Sequence, residues 1–199
     1  MTYRSAIENY IRQAAQPVDK FSHQPRLYAL ACSLAPQQAY DDDVLHAAAW
    51  LHDLGVFIGH RPADPLALAA WDNVQYAVEQ VPALLQEMGF PRDKIPQVVQ
   101  AIGEHLPSRS PASMEAILLR DADILEQLGV TGILRTVSKI GRDTRYLKHR
   151  DALLSLRRNL EELPVKLQLE SARRLAQQRL QLMRDFLDAA ELEGQGLDW

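Results

Sequence analysis

Val44-Leu45-His46-Ala47-Ala48-Ala49-Trp50-Leu51-His52-Asp53-Leu54-Gly55 is the most apolar stretch of this 199-residue chain, and near its end stands an imidazole beside a carboxylate. Asp41, Asp42 and Asp43 precede it and supply a cap and favourable negative charge for a helix N-terminus, while Gly55 follows as a terminator. A helix from Val44 to Leu54 that is apolar nearly all round is expected to be buried. Burying His52 and Asp53 without partners is costly. Side chains about 100° apart around a helix axis can converge on a cation lying between their directions, and such an ion offsets their desolvation.

Outward from this stretch, glycines and prolines punctuate the chain, and the segments between them repeat apolar residues every three or four positions. The expected fold is all-α, a single-domain helical bundle over residues 1–199. Tyr3, Ile7, Tyr10, Ile11 and Ala14 mark a first helix that Pro17 should end, and a second runs from near Pro25 to Ala35. Ala63 to Met88 fits two helices or one bent at Pro82; Pro91 opens another with the stripe Ile95, Val98, Val99, Ile102. Pro111–Leu128, Val130–Ile140 and Tyr146–Leu163 follow. The last helix, 165–192, carries the seam Leu169, Ala172, Ala176, Met183, Leu187, Ala190, read as packed on the core, with a homodimer seam left open.

Hydrophobic residues make up 47% and charged residues 24%, which supports a full core and excludes general disorder. With 22 Lys and Arg against 26 Asp and Glu, the formal charge of −4 provides no overall positive field for a nucleic-acid polymer. The single cysteine, Cys32, has apolar neighbours that predict a buried thiol in a reducing compartment. No apolar signal region opens the chain and no stretch approaches the roughly 18 apolar residues of a membrane span, so the expected location is cytoplasmic, with no membrane partner. Trp50, Trp71 and Tyr76 are read as core rather than as a base-stacking platform.

Two further groups join the His52-Asp53 pair. His23 lies in Phe21-Ser22-His23-Gln24-Pro25-Arg26, just before a buried helix, and Asp123 lies in Asp121-Ala122-Asp123-Ile124-Leu125, inside another. Two imidazole nitrogens and two carboxylates suit a divalent ion such as Mn²⁺, Fe²⁺, Ni²⁺ or Mg²⁺ and leave positions open for water and substrate, which points to catalysis rather than structural ligation. Asp121 competes with Asp123, but two residues apart on a helix they diverge by roughly 200°, so one ion does not easily take both. His46 stands two turns, about 10.5 Å, from Asp53 along the axis and is too far to ligate beside it. His60 and His149 sit in polar sequence and are expected to be solvated.

The order His23, then His52-Asp53 within Ala-Ala-Ala-Trp-Leu-His-Asp-Leu-Gly, then Asp123 within Asp-Ala-Asp-Ile-Leu, resembles the HD superfamily of metal-dependent phosphohydrolases. Residues 99–105, 121–129 and 176–187 extend the likeness to that superfamily's small bacterial single-domain branch. The resemblance implies an all-α HD-type bundle in which His23, His52, Asp53 and Asp123 hold the metal, and its Ala-Asp-x-Leu register favours Asp123 over Asp121. The chain departs from the pattern in two places. The region around Trp71-Asp72-Asn73 lacks the histidine of many two-metal members, which argues for one metal with Asp72 as a conceivable oxygen ligand, and no lysine follows Leu54-Gly55.

The resemblance further implies hydrolysis of a phosphate ester or anhydride of a nucleotide or small phosphorylated metabolite by metal-activated water. Asp53 and His105 are the expected catalytic residues: Asp53 ligates and helps to take the water's proton, and His105 assists the leaving group or contacts phosphate. Arg26, one helical turn beyond His23, is the preferred substrate contact. The competing expectation is a catalytically inactive, metal-containing nucleotide-binding sensor; a structural module built on the terminal helix is a third.

Overall fold

The computed structural model describes residues 2–35 and 39–195, and the chain divides into two compact units, 1–120 and 121–199. Among the described residues the elements are helices, with one isolated bridge between Ile58 and Arg61 and no strand.

In the first unit, Thr2 caps α1 (Tyr3–Ala14), whose buried Ile7 and Ile11 lie one turn apart. α2 is His23–Leu34. α3 (Asp42–Leu51) begins where Asp41 accepts hydrogen bonds from the Asp43 and Val44 amides, and each residue from Val44 to Leu51 is buried. It packs against α1, against α2, and against α6 (Ile95–Glu104), so its enclosure comes from neighbours on several sides.

The helix stops three residues before the expected Leu54. His52 is its C-cap, Asp53 leaves helical geometry at φ −94° and ψ 12°, and Leu54–Val56 form a 3-10 turn. The cause is tertiary. The turn packs against α5 (Asn73–Glu87), and the Trp71 indole donates to the Gly55 carbonyl at 2.8 Å. Ala63 to Met88 forms two helices, α4 (Pro65–Ala69) and α5, with Pro82 inside α5.

The acidic triplet does more than start α3. Arg4 of α1 contacts Asp43 at 2.6 Å and Asp42 at 2.7 Å, Lys94 reaches Asp41 at 2.8 Å and Asp43 at 2.9 Å, and the Tyr28 hydroxyl of α2 donates to Asp42 at 2.8 Å. One helix N-terminus thereby ties α1, α2 and the turn before α6 together. Cys32 of α2 is half-buried rather than buried, its Sγ 3.9 Å from Asp42 Oδ1. The contact with Asp42, ten residues on in the chain, brings the polar network at the start of α3 to a thiol whose sequence neighbours are apolar.

α7 (Met114–Glu126) spans the boundary between the units. The second unit continues with α8 (Gly129–Val137), α9 (His149–Glu162) and α10 (Glu170–Gly194), which pack on one another. Gly129 has φ +67°, and a Cβ there would stand 2.9 Å from Arg179 Cβ, so glycine serves both the turn and the close approach of α10. The seam of α10 buries Ala172, Ala176, Met183 and Leu187, while Leu169 and Ala190 at its two ends are half-buried. No helix among the described residues is long and apolar enough to cross a membrane.

Candidate metal centre

Two helices and one turn build the cluster. His23 is the first residue of α2, His52 caps the end of α3, and Asp53 begins the turn that follows. Their ligand atoms all lie within 4.8 Å of one another. Asp53 Oδ2 is 3.6 Å from His52 Nε2 and 3.8 Å from His23 Nε2, and the two rings meet edge to face with centroids 5.3 Å apart. Both imidazoles are buried, while the Asp53 side chain keeps 24% of its surface open.

The tautomer of His52 follows from its surroundings. Its Nδ1 lies 3.0 Å from the Ala49 carbonyl oxygen, which can only accept, so Nδ1 carries hydrogen and Nε2 is the atom presented to Asp53. A neutral imidazole nitrogen and a carboxylate oxygen both offer lone pairs, and they repel unless a cation lies between them. The donor set therefore fits a divalent ion held by His23, His52 and Asp53, with the Ala49 carbonyl orienting one of the histidines.

His105 repeats the device. It caps the end of α6, its Nδ1 donates to the Ile102 carbonyl at 2.6 Å, and its ring centroid lies 5.1 Å from that of His52. Both residues use the same local opportunity: carbonyls in the last turn of a helix lack amide partners, and an imidazole three residues on satisfies one while turning its Nε2 outward. The sequence shows histidines near helix ends, while the pairing of their Nδ1 atoms with the Ala49 and Ile102 carbonyls arises from the helix-end geometry.

The other expected residues fall as follows. Arg26 lies on the exposed side of α2. Asp123, in the second unit on α7, is half-buried and its Oδ2 accepts from Gln127 Nε2 at 3.1 Å. Asp121 is fully buried and accepts from the Gln168 amide at 2.9 Å and the Leu169 amide at 2.7 Å, which commits it to holding the start of α10. Asp72 is exposed and caps α5 through the Val74 and Gln75 amides, so its carboxylate serves a helix terminus rather than this cluster.

Three histidines stand apart. His46 is buried and its Nε2 meets Glu8 at 3.0 Å; burial pushes its pKa down. His60 is not simply solvated: it is half-buried, pairs with the Tyr76 hydroxyl at 3.0 Å and lies beside Tyr10 and Phe57, and burial lowers its pKa too. Tyr10 and Tyr76, distant in sequence, join the nearby Phe57 around the ring and explain the difference. His149 is exposed at the start of α9.

The chain belongs to the HD domain family, whose model matches residues 21–128 and so includes His23, His52, Asp53, His105 and Asp123. Its fold is that of the HD-superfamily hydrolases. It is similar to Bacillus subtilis YpgQ at 22% identity and TM-score 0.76, over 98% of this chain and 97% of that one. It is equally similar to YpgQ in complex with ADP, at 22% identity and TM-score 0.75 over 98% and 96%. A predicted HD superfamily hydrolase from an uncultured Thermotogales bacterium is 25% identical, with TM-score 0.66 over 96% and 93%. No curated protein matches the sequence.

Proposed function

We propose that this protein is a metal-dependent phosphohydrolase that cleaves a phosphate ester or anhydride of a nucleotide or small phosphorylated metabolite. The observation that carries the reading is the meeting of His23, His52 and Asp53, with ligand atoms within 4.8 Å, beside a third buried histidine. The complex of the similar YpgQ with ADP favours a nucleotide over other phosphorylated metabolites.

Asp123 is the proposed fourth ligand, on the pattern of the family. A bound divalent ion, Mn²⁺, Fe²⁺, Ni²⁺ or Mg²⁺, supplies positive charge opposite the phosphoryl oxygens and lowers the pKa of water. Asp53, part-open to solvent, takes the proton of the attacking water. His105, in the imidazolium form, would deliver the Nε2 proton to the leaving oxygen while its Nδ1–H stays on the Ile102 carbonyl. Arg26 contacts the phosphate from one turn beyond His23.

Elemental analysis of protein purified without chelator, beside an Asp53→Ala variant, tests the centre, and product formation across nucleotide and sugar-phosphate panels tests the reaction. The expected results are near-stoichiometric metal lost in the variant and phosphate release that follows metal content. Metal and nucleotide bound without any product would leave a sensor in place of an enzyme.

A further inference from the structure

With Ala172, Ala176, Met183 and Leu187 of α10 spent on its own unit, a second apolar column is left outside. Leu175, Leu182 and Ala189 are exposed and recur every seven residues, so each lies within about 20° of the last around the helix axis. α8 presents an exposed stripe of its own, Val130, Leu134 and Val137, in which Leu134 keeps 64% of its surface open. The two stripes share a face. Val137 of one and Ala189 of the other line the same groove, together with Ile140 and Phe186. Contiguous apolar surface of this kind marks an interaction site.

Charge indicates the partner. Beside the apolar column of α10 runs another with the same spacing, Arg174, Gln181 and Asp188, all exposed. Among the described residues neither Arg174 nor Asp188 enters an ion pair or a side-chain hydrogen bond. They stand about 21 Å apart along the helix and do not meet within one chain. Leu182 is the midpoint of the 25 residues of α10. A two-fold axis there runs two copies of the helix antiparallel, with Leu182 on Leu182, Leu175 opposite Ala189 and Arg174 opposite Asp188. Parallel pairing would oppose Arg174 to Arg174 and Asp188 to Asp188, so charge selects the antiparallel arrangement. Size agrees, since the small Ala189 lies in the groove that faces the bulkier Leu175.

We infer that the exposed face of α8 and α10 docks a second copy of this chain, antiparallel about Leu182, with two Arg174–Asp188 pairs beside the apolar contact. The surface is independent of the phosphohydrolase reading and stands if that reading fails.

Sedimentation equilibrium of the full-length protein at micromolar concentration should give a dimer, twice the 22.5 kDa of one chain. Leu182→Glu sets two carboxylates against each other in the apolar contact and should weaken association at least about a hundredfold, with the circular dichroism spectrum unchanged. Arg174→Asp and Asp188→Arg test the same contact without touching its apolar column. Each alone opposes like charges at both pairs and should weaken association about tenfold. Mixed in equal amounts, the two variants recreate both opposite-charge pairs across a heterodimer and should regain the parent's affinity. A 22.5 kDa species throughout the micromolar range, a dimer untouched by Leu182→Glu, or charge variants that associate no better together than alone overturns the assignment.

Discussion

A Cβ on Gly55 would stand 2.4 Å from the Asn73 carbonyl oxygen and 2.8 Å from Asn73 Cα. The turn carrying Asp53 is therefore seated on the first residue of α5 at a distance that only glycine allows, and the Trp71 indole secures the same turn through the Gly55 carbonyl. Backbone atoms cannot yield as a flexible side chain can. Gly55→Ala is expected to cost about 1–3 kcal/mol in urea unfolding and to lower metal retention, because Asp53 moves with the turn.

The two aspartates of α7, Asp121 and Asp123, are expected to have separable roles. Asp121→Ala removes the acceptor of the Gln168 and Leu169 amides and should cost about 2 kcal/mol in the absence of metal. Asp123→Ala should change metal-free stability by no more than about 1 kcal/mol while reducing bound metal and turnover. Equal losses of stability in the two variants, or full metal content in Asp123→Ala, would reverse the assignment.

Metal binding should raise stability through the native state alone. With free Mn²⁺ at a hundred times its dissociation constant, the melting curve should reflect about 2.7 kcal/mol of added stability, and chelator should remove it. His52→Ala and Asp53→Ala should show no such rise. The comparison of melting temperatures with and without metal checks this independently of any substrate.

Acid should loosen the clamp at the start of α3. Hydrogen bonds from Arg4 and Lys94 hold the Asp43 carboxyl well below its usual range. Its folded pKa lies below the unfolded value of about 3.9, so its contribution is fully present above that pH and is lost as pH falls toward the depressed value. Urea unfolding at several pH values should show Asp43→Asn less stable than the parent near neutrality, with the gap closing as the pH falls below about 4. An unchanged gap down to pH 2 would contradict the mechanism.

His46 predicts a second, milder dependence with its own window. Burial depresses its folded pKa below the unfolded value of about 6.5, so the unfolded chain binds more protons as the pH falls below that value, and stability declines. His46→Gln should flatten this slope between about pH 5 and 7, read from the same unfolding series.

Helical periodicity made most of the architecture readable, because a helix is specified by neighbours three and four residues apart. The reading of Tyr3 to Ala14 coincides with α1, and Asp41 to Asp43 mark the start of α3. The pairing of His23 with His52 and Asp53 was legible as well, since few chemistries require those residue types in so apolar a setting. Helix ends were less legible where distant chain intervenes: α3 stops at Leu51 because the turn after it packs on α5, a contact that no local pattern encodes.

Order and spacing in the chain thus settle the helices, the donor types and their membership in one family, since each depends on residues within a few turns or on a short motif. Placement across long separations belongs to the packed molecule. Asp121 and Asp123 look alike in sequence, yet one is consumed by backbone amides 47 and 48 residues away while the other stays half-buried. His105 likewise acquires its place beside His52 only when α6 packs on α3. Burial and amide pairing distinguish identical side chains, and both arise from contacts that form when the chain folds.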